Sequence, residues 1–295
     1  MDDLLIIGST CVDVIIPIDR LPKTGEDIQS FSQTFSIGGC GWNVYRAARL
    51  SGAAPVFLSP VGTGAYGDLV AREFAAWGLP VPKRADRDNG CCYCLVESGG
   101  ERTFLSVRGA EYRVTREMLD ALPGRFAMAY VCGMELQEPT GADMLNWLES
   151  HRETAVFYAP GPQGVLLDKA RQDRILALGP ILHLSADEAL ILSGTDTPDD
   201  AANRLAGCTG NTVVITLGGN GCLCRTADGD VLRVPAVPAA VADTIGAGDT
   251  HAGMLLGCLY QGMALDAALG MANRAAAAVV ARHGADILRT LEELL

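Results

Sequence analysis

In this chain of 295 residues, one segment has the residue types and spacing to handle developing negative charge: Ala242-Asp243-Thr244-Ile245-Gly246-Ala247-Gly248-Asp249-Thr250. Its two glycines allow a tight backbone turn and expose N–H groups where a helix begins at Ala247. A helix start carries unpaired donors and the positive end of the helix dipole, so an anion is stabilised there. Asp249 falls in the first helical turn, within reach of a hydroxyl held in front of it. An ionised carboxylate suits removal of a proton from a weakly acidic alcohol during phosphoryl transfer. On local sequence alone, a glycine turn with Asp249 serving the helix dipole accounts for the same residues equally well. Asp243 reads in the same way as an Asx turn.

The elements that must position this segment alternate in type. Apolar strand-like runs at 3–7, 12–18, 56–61, 127–132, 155–158, 181–184 and 212–217 are interleaved with helical patterns at 43–51, 68–77, 141–151, 163–178, 187–193 and 198–206. Such alternation predicts an α/β fold with a mostly parallel central sheet covered by helices on both faces. Two pieces fit that sheet poorly. The runs CYCLVE and RTFLSV flank Ser98-Gly99-Gly100-Glu101, a hairpin signature. Together with the segment near 10–36, the region 88–107 is expected to form a small β lid beside the sheet. No repeat or long linker divides the chain, so residues 1–295 are expected to be one domain.

Composition narrows the function. The chain carries 23 Lys and Arg against 35 Asp and Glu, a formal net charge of −12. That balance excludes generic nucleic-acid binding and opposes anionic membranes. An anionic ligand must be held by local devices such as helix N-termini. The apolar late stretch 251–271 is broken by Gln261 and Asp266, and the N-terminus lacks the positive charge of a signal peptide. Ten cysteines are scattered, with Cys-x-Cys pairs at Cys92/Cys94 and Cys222/Cys224 and no Cys-x-x-Cys. The four histidines form no ligand-spaced cluster. Reduced thiols filling core positions in a cytoplasmic protein is the better reading.

The run DTIGAGD resembles the C-terminal signature of the ribokinase-like, or PfkB, carbohydrate kinases. Gly38-Gly39-Cys40-Gly41-Trp42-Asn43 resembles their N-terminal Gly-Gly signature, and the likeness extends over 8–13, 216–221 and 273–284 in the right order. The resemblance implies an ATP-dependent kinase acting on a hydroxyl of a sugar or sugar-like molecule. Asp249 would be the general base, with Gly246, Ala247 and Gly248 donating N–H groups to the transferring phosphate. Asp13, Gly39 and Asn43 would hold sugar hydroxyls, although Asn43 also reads as a helix cap. Thr216, Gly218 and Gly221 would shape the nucleotide phosphate and ribose edge. Asn273 would lie near the adenine, unless it faces solvent from its alanine-rich helix. Glu188 would organise Mg2+, and a monovalent cation such as K+ would sit near the loops at Asp243 and Gly284.

Three departures separate the chain from ribokinase proper. Cys40 stands where a lysine is expected, Ser185 replaces the asparagine of the Asn-x-x-Glu motif, and Ala159 precedes Pro160 where an aspartate is frequent. Trp42 beside Asn43 offers a ring for a nucleoside base to stack on, or packs under the lid, so a nucleoside kinase of the same fold is the alternative. A non-catalytic binder of that fold is a further alternative. Gly62-Thr63-Gly64-Ala65-Tyr66-Gly67 matches a dinucleotide loop, with Asp86 at a fitting distance, but it lies outside the first βαβ unit and argues weakly for an NAD-dependent oxidoreductase. The apolar alternate residues of the lid, such as Cys92, Cys94 and Val96, predict a homodimer through lid-to-lid contact, because an isolated small sheet is marginal in water.

Overall fold

The computed structural model describes residues 2–81, 84–99 and 101–282. Twelve strands run in chain order as β1 (Asp3–Ile7), β2 (Cys11–Ile18), β3 (Thr34–Gly38), β4 (Val56–Leu58), β5 (Cys91–Glu97), β6 (Arg102–Val107), β7 (Phe126–Cys132), β8 (Ala155–Ala159), β9 (Ile181–Ser185), β10 (Val213–Thr216), β11 (Cys222–Arg225) and β12 (Val231–Val234). Eight of them form the central sheet in the order β12-β11-β10-β9-β8-β7-β1-β4. From β4 to β10 every neighbouring pair is parallel, and β11 and β12 add an antiparallel edge. The fold class is α/β, with helices on both faces.

The apolar runs explain this layering. Leu4 and Ile6 point to one face and Leu5 and Ile7 to the other, and all four are fully buried. The first face packs on the helices Cys40–Leu50, Ala247–Tyr260 and Leu265–Val280 through Trp42, Val44, Leu255, Leu256 and Ala272. The second packs on Gly141–Ser150 and Pro198–Thr209 through Leu145, Leu148 and Leu205. A strand covered on both sides has no polar face to alternate with, so its sequence reads as one hydrophobic run.

The other four strands make a separate sheet in the order β3-β2-β5-β6. Two antiparallel pairs, β2 with β3 and β5 with β6, are joined by a parallel pairing of β2 with β5 that sets Asp13 opposite Cys92. Paired residues share a face, so Asp13, Cys92, Cys94 and Arg102 lie on one side of this sheet. Leu105, opposite Tyr93, lies on the other side.

Candidate active site

The glycine segment folds as its residue types require. Gly246 caps the Ala247–Tyr260 helix with φ 72°, a left-handed conformation that strongly favours glycine. Asp243 is buried and its Oδ1 accepts the Ile245 N–H at 2.8 Å, an Asx turn. Thr250 closes the first helical turn by donating to Gly246 O at 2.8 Å. The N–H groups of Gly248 and Asp249 have no acceptor among the described residues and remain for a ligand. The N–H of Ala247, expected to join them, donates instead to Thr244 O at 3.3 Å. A Cβ on Gly248 would meet nothing within 4 Å, so the backbone there borders open space.

Asp249 sits in this turn, half-buried, and Asn43 Nδ2 donates to its Oδ2 at 3.0 Å. Asn43 is in turn fixed by Arg46, whose Nη2 donates to Asn43 Oδ1 at 3.0 Å. Burial raises the Asp249 pKa to about 6, while Asn43, the Cys40 thiol and the Arg46 charge pull it down and Glu188 pushes it up. A base poised just below neutrality is ionised when needed and still basic enough to accept a proton. The helix expected from Asn43 begins earlier, at Cys40 with Gly39 as its N-cap, so Asn43 does not cap it. Its amide is aimed at Asp249 instead.

The carboxyl ends of four parallel strands converge on this carboxylate. Cys132, Ala159, Ser185 and Thr216, the last residues of β7, β8, β9 and β10, line a small cavity of about 130 Å3 with Cys40, Glu188, Gly248 and Asp249. Ligands in open α/β sheets bind at such strand ends. Ser185 and Glu188 form a capping box on the Ala186–Ser193 helix: Glu188 Oε2 accepts the Ser185 N–H at 2.9 Å and Ser185 Oγ accepts the Glu188 N–H. Ser185, which replaces the expected asparagine, thus anchors the loop by its own hydroxyl. Asp13 and Gly39 lie outside the walls of this cavity. Asp13 stands on the lid face, where a Cβ on Gly38 would overlap its carboxylate. Burial, the neighbouring Cys92 and the Asp249 charge raise its pKa to about 7 against the pull of Arg46.

Thr216 and Gly248 also line a larger cleft of about 500 Å3 next door. Its walls hold the remaining expected nucleotide residues, Gly218, Gly221 and Asn273. Asn273 does not face solvent. It is buried, donates to Val234 O and Pro235 O at 3.1 and 3.0 Å, and meets His251 Nε2 at 3.2 Å. His251 Nδ1 lies 2.8 Å from His183 Nε2, and burial holds both rings below the usual imidazole range. A neutral histidine pair therefore joins the wall of the large cleft to that of the small one. Residues 183 and 251 are too far apart in sequence for spacing to reveal it.

Trp42 offers no ring to a ligand: it is fully buried, packed against Tyr45, Phe57, Phe74 and Trp77. The glycine loop 62–67 cradles its own chain, since Arg84 Nε donates to Gly62 O at 2.7 Å and a Cβ on Gly62 or Gly67 would overlap neighbouring backbone. On one of the two loops expected to lie beside a monovalent cation, Asp243 is bonded by the Arg102 guanidinium from the lid. Asp243 Oδ1 also accepts the Ile245 N–H, so this oxygen ties the loop to the lid. Gly284, the other half of that expectation, lies outside the described residues.

Residues 1–291 match the model of the pfkB family carbohydrate kinases. The chain is 33% identical to the uncharacterized sugar kinase YegV of Escherichia coli, over 99% of this chain and 92% of that one. Its fold is shared with ribokinase from Thermotoga maritima, with a TM-score of 0.86, 21% identity and coverage of 98% and 96% of the two chains. A nucleoside kinase from Burkholderia thailandensis, in complex with inosine, superposes with a TM-score of 0.77 at 21% identity, covering 95% and 90%.

Proposed function

This chain belongs to the pfkB family of carbohydrate kinases, ATP-dependent phosphotransferases with an alcohol acceptor, and we propose that its acceptor is a sugar or polyol rather than a nucleoside. The observation that carries this reading is the polar set gathered around Asp249, with the one indole beside it turned into the core. Asp13 and Asn43 place a carboxylate and an amide near Asp249, with Arg46 fixing the amide, while Trp42 is sealed in the core. Adjacent hydroxyls satisfy such groups in pairs, whereas a base needs an apolar platform.

In the proposed mechanism Asp249 takes the proton from the acceptor hydroxyl as its oxygen bonds to the γ-phosphorus of ATP and the bond from that phosphorus to the β,γ-bridging oxygen breaks, releasing ADP. The Gly248 and Asp249 N–H groups meet the charge that develops on the transferring phosphoryl oxygens. Asn43 orients the base and keeps it ionised. Asp13 and Gly39 hold the sugar away from the reacting end, and ATP occupies the 500 Å3 cleft, with Thr216, Gly218 and Gly221 along its phosphates and ribose and Asn273 by the adenine. Glu188 fits Mg2+: one carboxylate oxygen is committed to the capping box and the group lines the same cavity as Asp249, a hard donor beside the phosphate path. When bound, Mg2+ would neutralise charge on the β- and γ-phosphates. Arg102 stands as a built-in cation on the Asp243 loop in place of K+.

We further propose a cytoplasmic homodimer of one domain. Leu105 and Val107 on the lid's edge strand β6 are more than half exposed, an apolar surface for a second lid, and ten free thiols suit a reducing compartment. Among the described residues, no helix is long and apolar enough to cross a membrane. The test is ADP release across sugars, polyols and nucleosides, with Asp249→Asn beside the wild type. A sugar or polyol is expected to be turned over, with the variant about 10² to 10⁴ slower at unchanged ATP affinity. Turnover of nucleosides alone overturns the acceptor class, and near-normal kcat in the variant removes Asp249 as base.

A further inference from the structure

The lid sets beside Asp13 two cysteines that phosphoryl transfer does not use. Asp13, Cys92 and Cys94 each present a ligand atom, and the three atoms lie within 4.8 Å of one another. The parallel register sets Asp13 directly opposite Cys92, and Cys94 follows two residues later on the same face. The Cys92 and Cys94 sulfurs are 3.9 Å apart. Two thiolates held about 2.3 Å from a tetrahedral zinc ion stand about 3.8 Å apart, so the pair is already at metal-ligand spacing. Ser106, opposite Cys92 on β6, donates to the Cys92 sulfur at 3.6 Å, a support for a thiolate from outside the ligand set.

We propose that Asp13, Cys92 and Cys94 form a three-ligand site for a thiophilic divalent cation, Zn2+ above all, and that its occupation excludes the sugar. Two soft sulfurs and one carboxylate discriminate against Mg2+, which prefers an all-oxygen shell. Binding releases the thiol protons and leaves a fourth tetrahedral position for water. Exclusion of the sugar rests on the reading of Asp13 as a hydroxyl ligand: a carboxylate bound to zinc cannot also accept from the acceptor. Spacing along the sequence hides the site, because its third ligand arrives from β2, 79 residues before Cys92 (92 − 13).

The test uses the reduced full chain, freed of metal and titrated anaerobically with Co2+. One Co2+ per chain is expected, with a thiolate-to-cobalt charge-transfer band that Zn2+ abolishes. The Cys92→Ser/Cys94→Ser variant is expected to lose the band while keeping wild-type kcat, and Cys208→Ser, at an exposed cysteine, is expected to retain it. In kinetics, saturating Zn2+ is expected to raise the acceptor KM at least about tenfold in the wild type, the equivalent of about 1.4 kcal/mol, and to leave the double variant unaffected. No charge-transfer band in the wild type, or the same band in the double variant, overturns the site. A band that the acceptor neither weakens nor is weakened by upholds the metal site and overturns the exclusion, and with it the role of Asp13 in sugar binding.

Discussion

Replacing Asn43 with alanine isolates what holds the base ionised. Asn43 Nδ2 donates to Asp249 Oδ2 at 3.0 Å, and this bond is the largest influence lowering a pKa that burial has raised to about 6. A hydrogen bond to a charged group contributes about 1.5–3 kcal/mol, and one pKa unit corresponds to about 1.4 kcal/mol. Because Cys40 and Arg46 still favour the ionised form in the variant, the lower end applies, a rise of about one unit. The sign follows directly. A general base is inactive when protonated, so the acid limb of kcat moves to higher pH. At pH 6 the ionised fraction falls from about one half to about one tenth, roughly fivefold, while at pH 8 it barely changes. The assay is initial-rate ADP release from pH 5 to 8.5 at saturating acceptor, where Asp13 is engaged and its own titration drops out. Glu188→Gln supplies the opposite sign, since Glu188 raises the Asp249 pKa and glutamine can still accept in the capping box. An acid limb that stays in place in Asn43→Ala, or that moves the same way in both variants, refutes Asp249 as the titrating base or Asn43 as its partner.

Trp42→Ala should destabilise the fold by about 3–5 kcal/mol, the range for emptying an aromatic core site, with the acceptor KM of the remaining folded enzyme unchanged. Thermal unfolding together with KM checks this, and a large rise in KM at little loss of stability would return the ring to the ligand. Exchanging K+ for choline should leave the rate of the wild type within about twofold, since Arg102 already bonds the Asp243 carboxylate; Arg102→Gln should lower kcat and make it K+-dependent, and K+ dependence of the wild type contradicts the built-in cation. Leu105→Glu should turn the dimer into monomers by light scattering, because a carboxylate opposes burial at an apolar contact, and a monomeric wild type ends the proposal. Val96, expected with Cys92 and Cys94 to form the dimer face, lies with them on the Asp13 side of the lid opposite Arg102, so it is not a matching probe.

The layered sheet was legible because its physics is local: strands buried on two faces must read as apolar runs, and helices between them must carry a stripe. Asp249 was legible for the same reason, since two glycines before a helix announce where N–H groups gather. Trp42 was not, and the cause is a shift of three residues in a helix start. With the helix beginning at Cys40, Trp42 and Tyr45 share the core stripe and Asn43 and Arg46 the next one round, at the i, i+3 spacing that places both members of each pair on one face. Arg102 with Asp243, His183 with His251, and Asp13 with Cys92 were illegible on different grounds. Each pair joins separate elements, and only the register of the lid and the order of the sheet bring them within reach.

Those long-range pairs also resolve an apparent conflict in the charge. A chain of net charge −12 is an unfavourable host for a polyphosphate. Screening confines the net field to a Debye length of about 8 Å at physiological salt, whereas contacts inside a half-buried site are screened far less. What ATP meets at the site is therefore set by groups within hydrogen-bond reach. On the proposed reading these are the N–H groups of Gly248 and Asp249, which have no acceptor among the described residues, while the Arg46 guanidinium stands behind Asn43 and that of Arg102 on the Asp243 loop. Among the described residues, Arg46 and Arg102 are held near the Asp249 helix start by amide and carboxylate partners, local positive charge in a chain that is acidic as a whole. On this account, raising the salt concentration should weaken ATP binding far less than it would for a protein that gathers phosphate by its overall field, and a steep salt dependence of the ATP Kd would show that the local groups do not dominate.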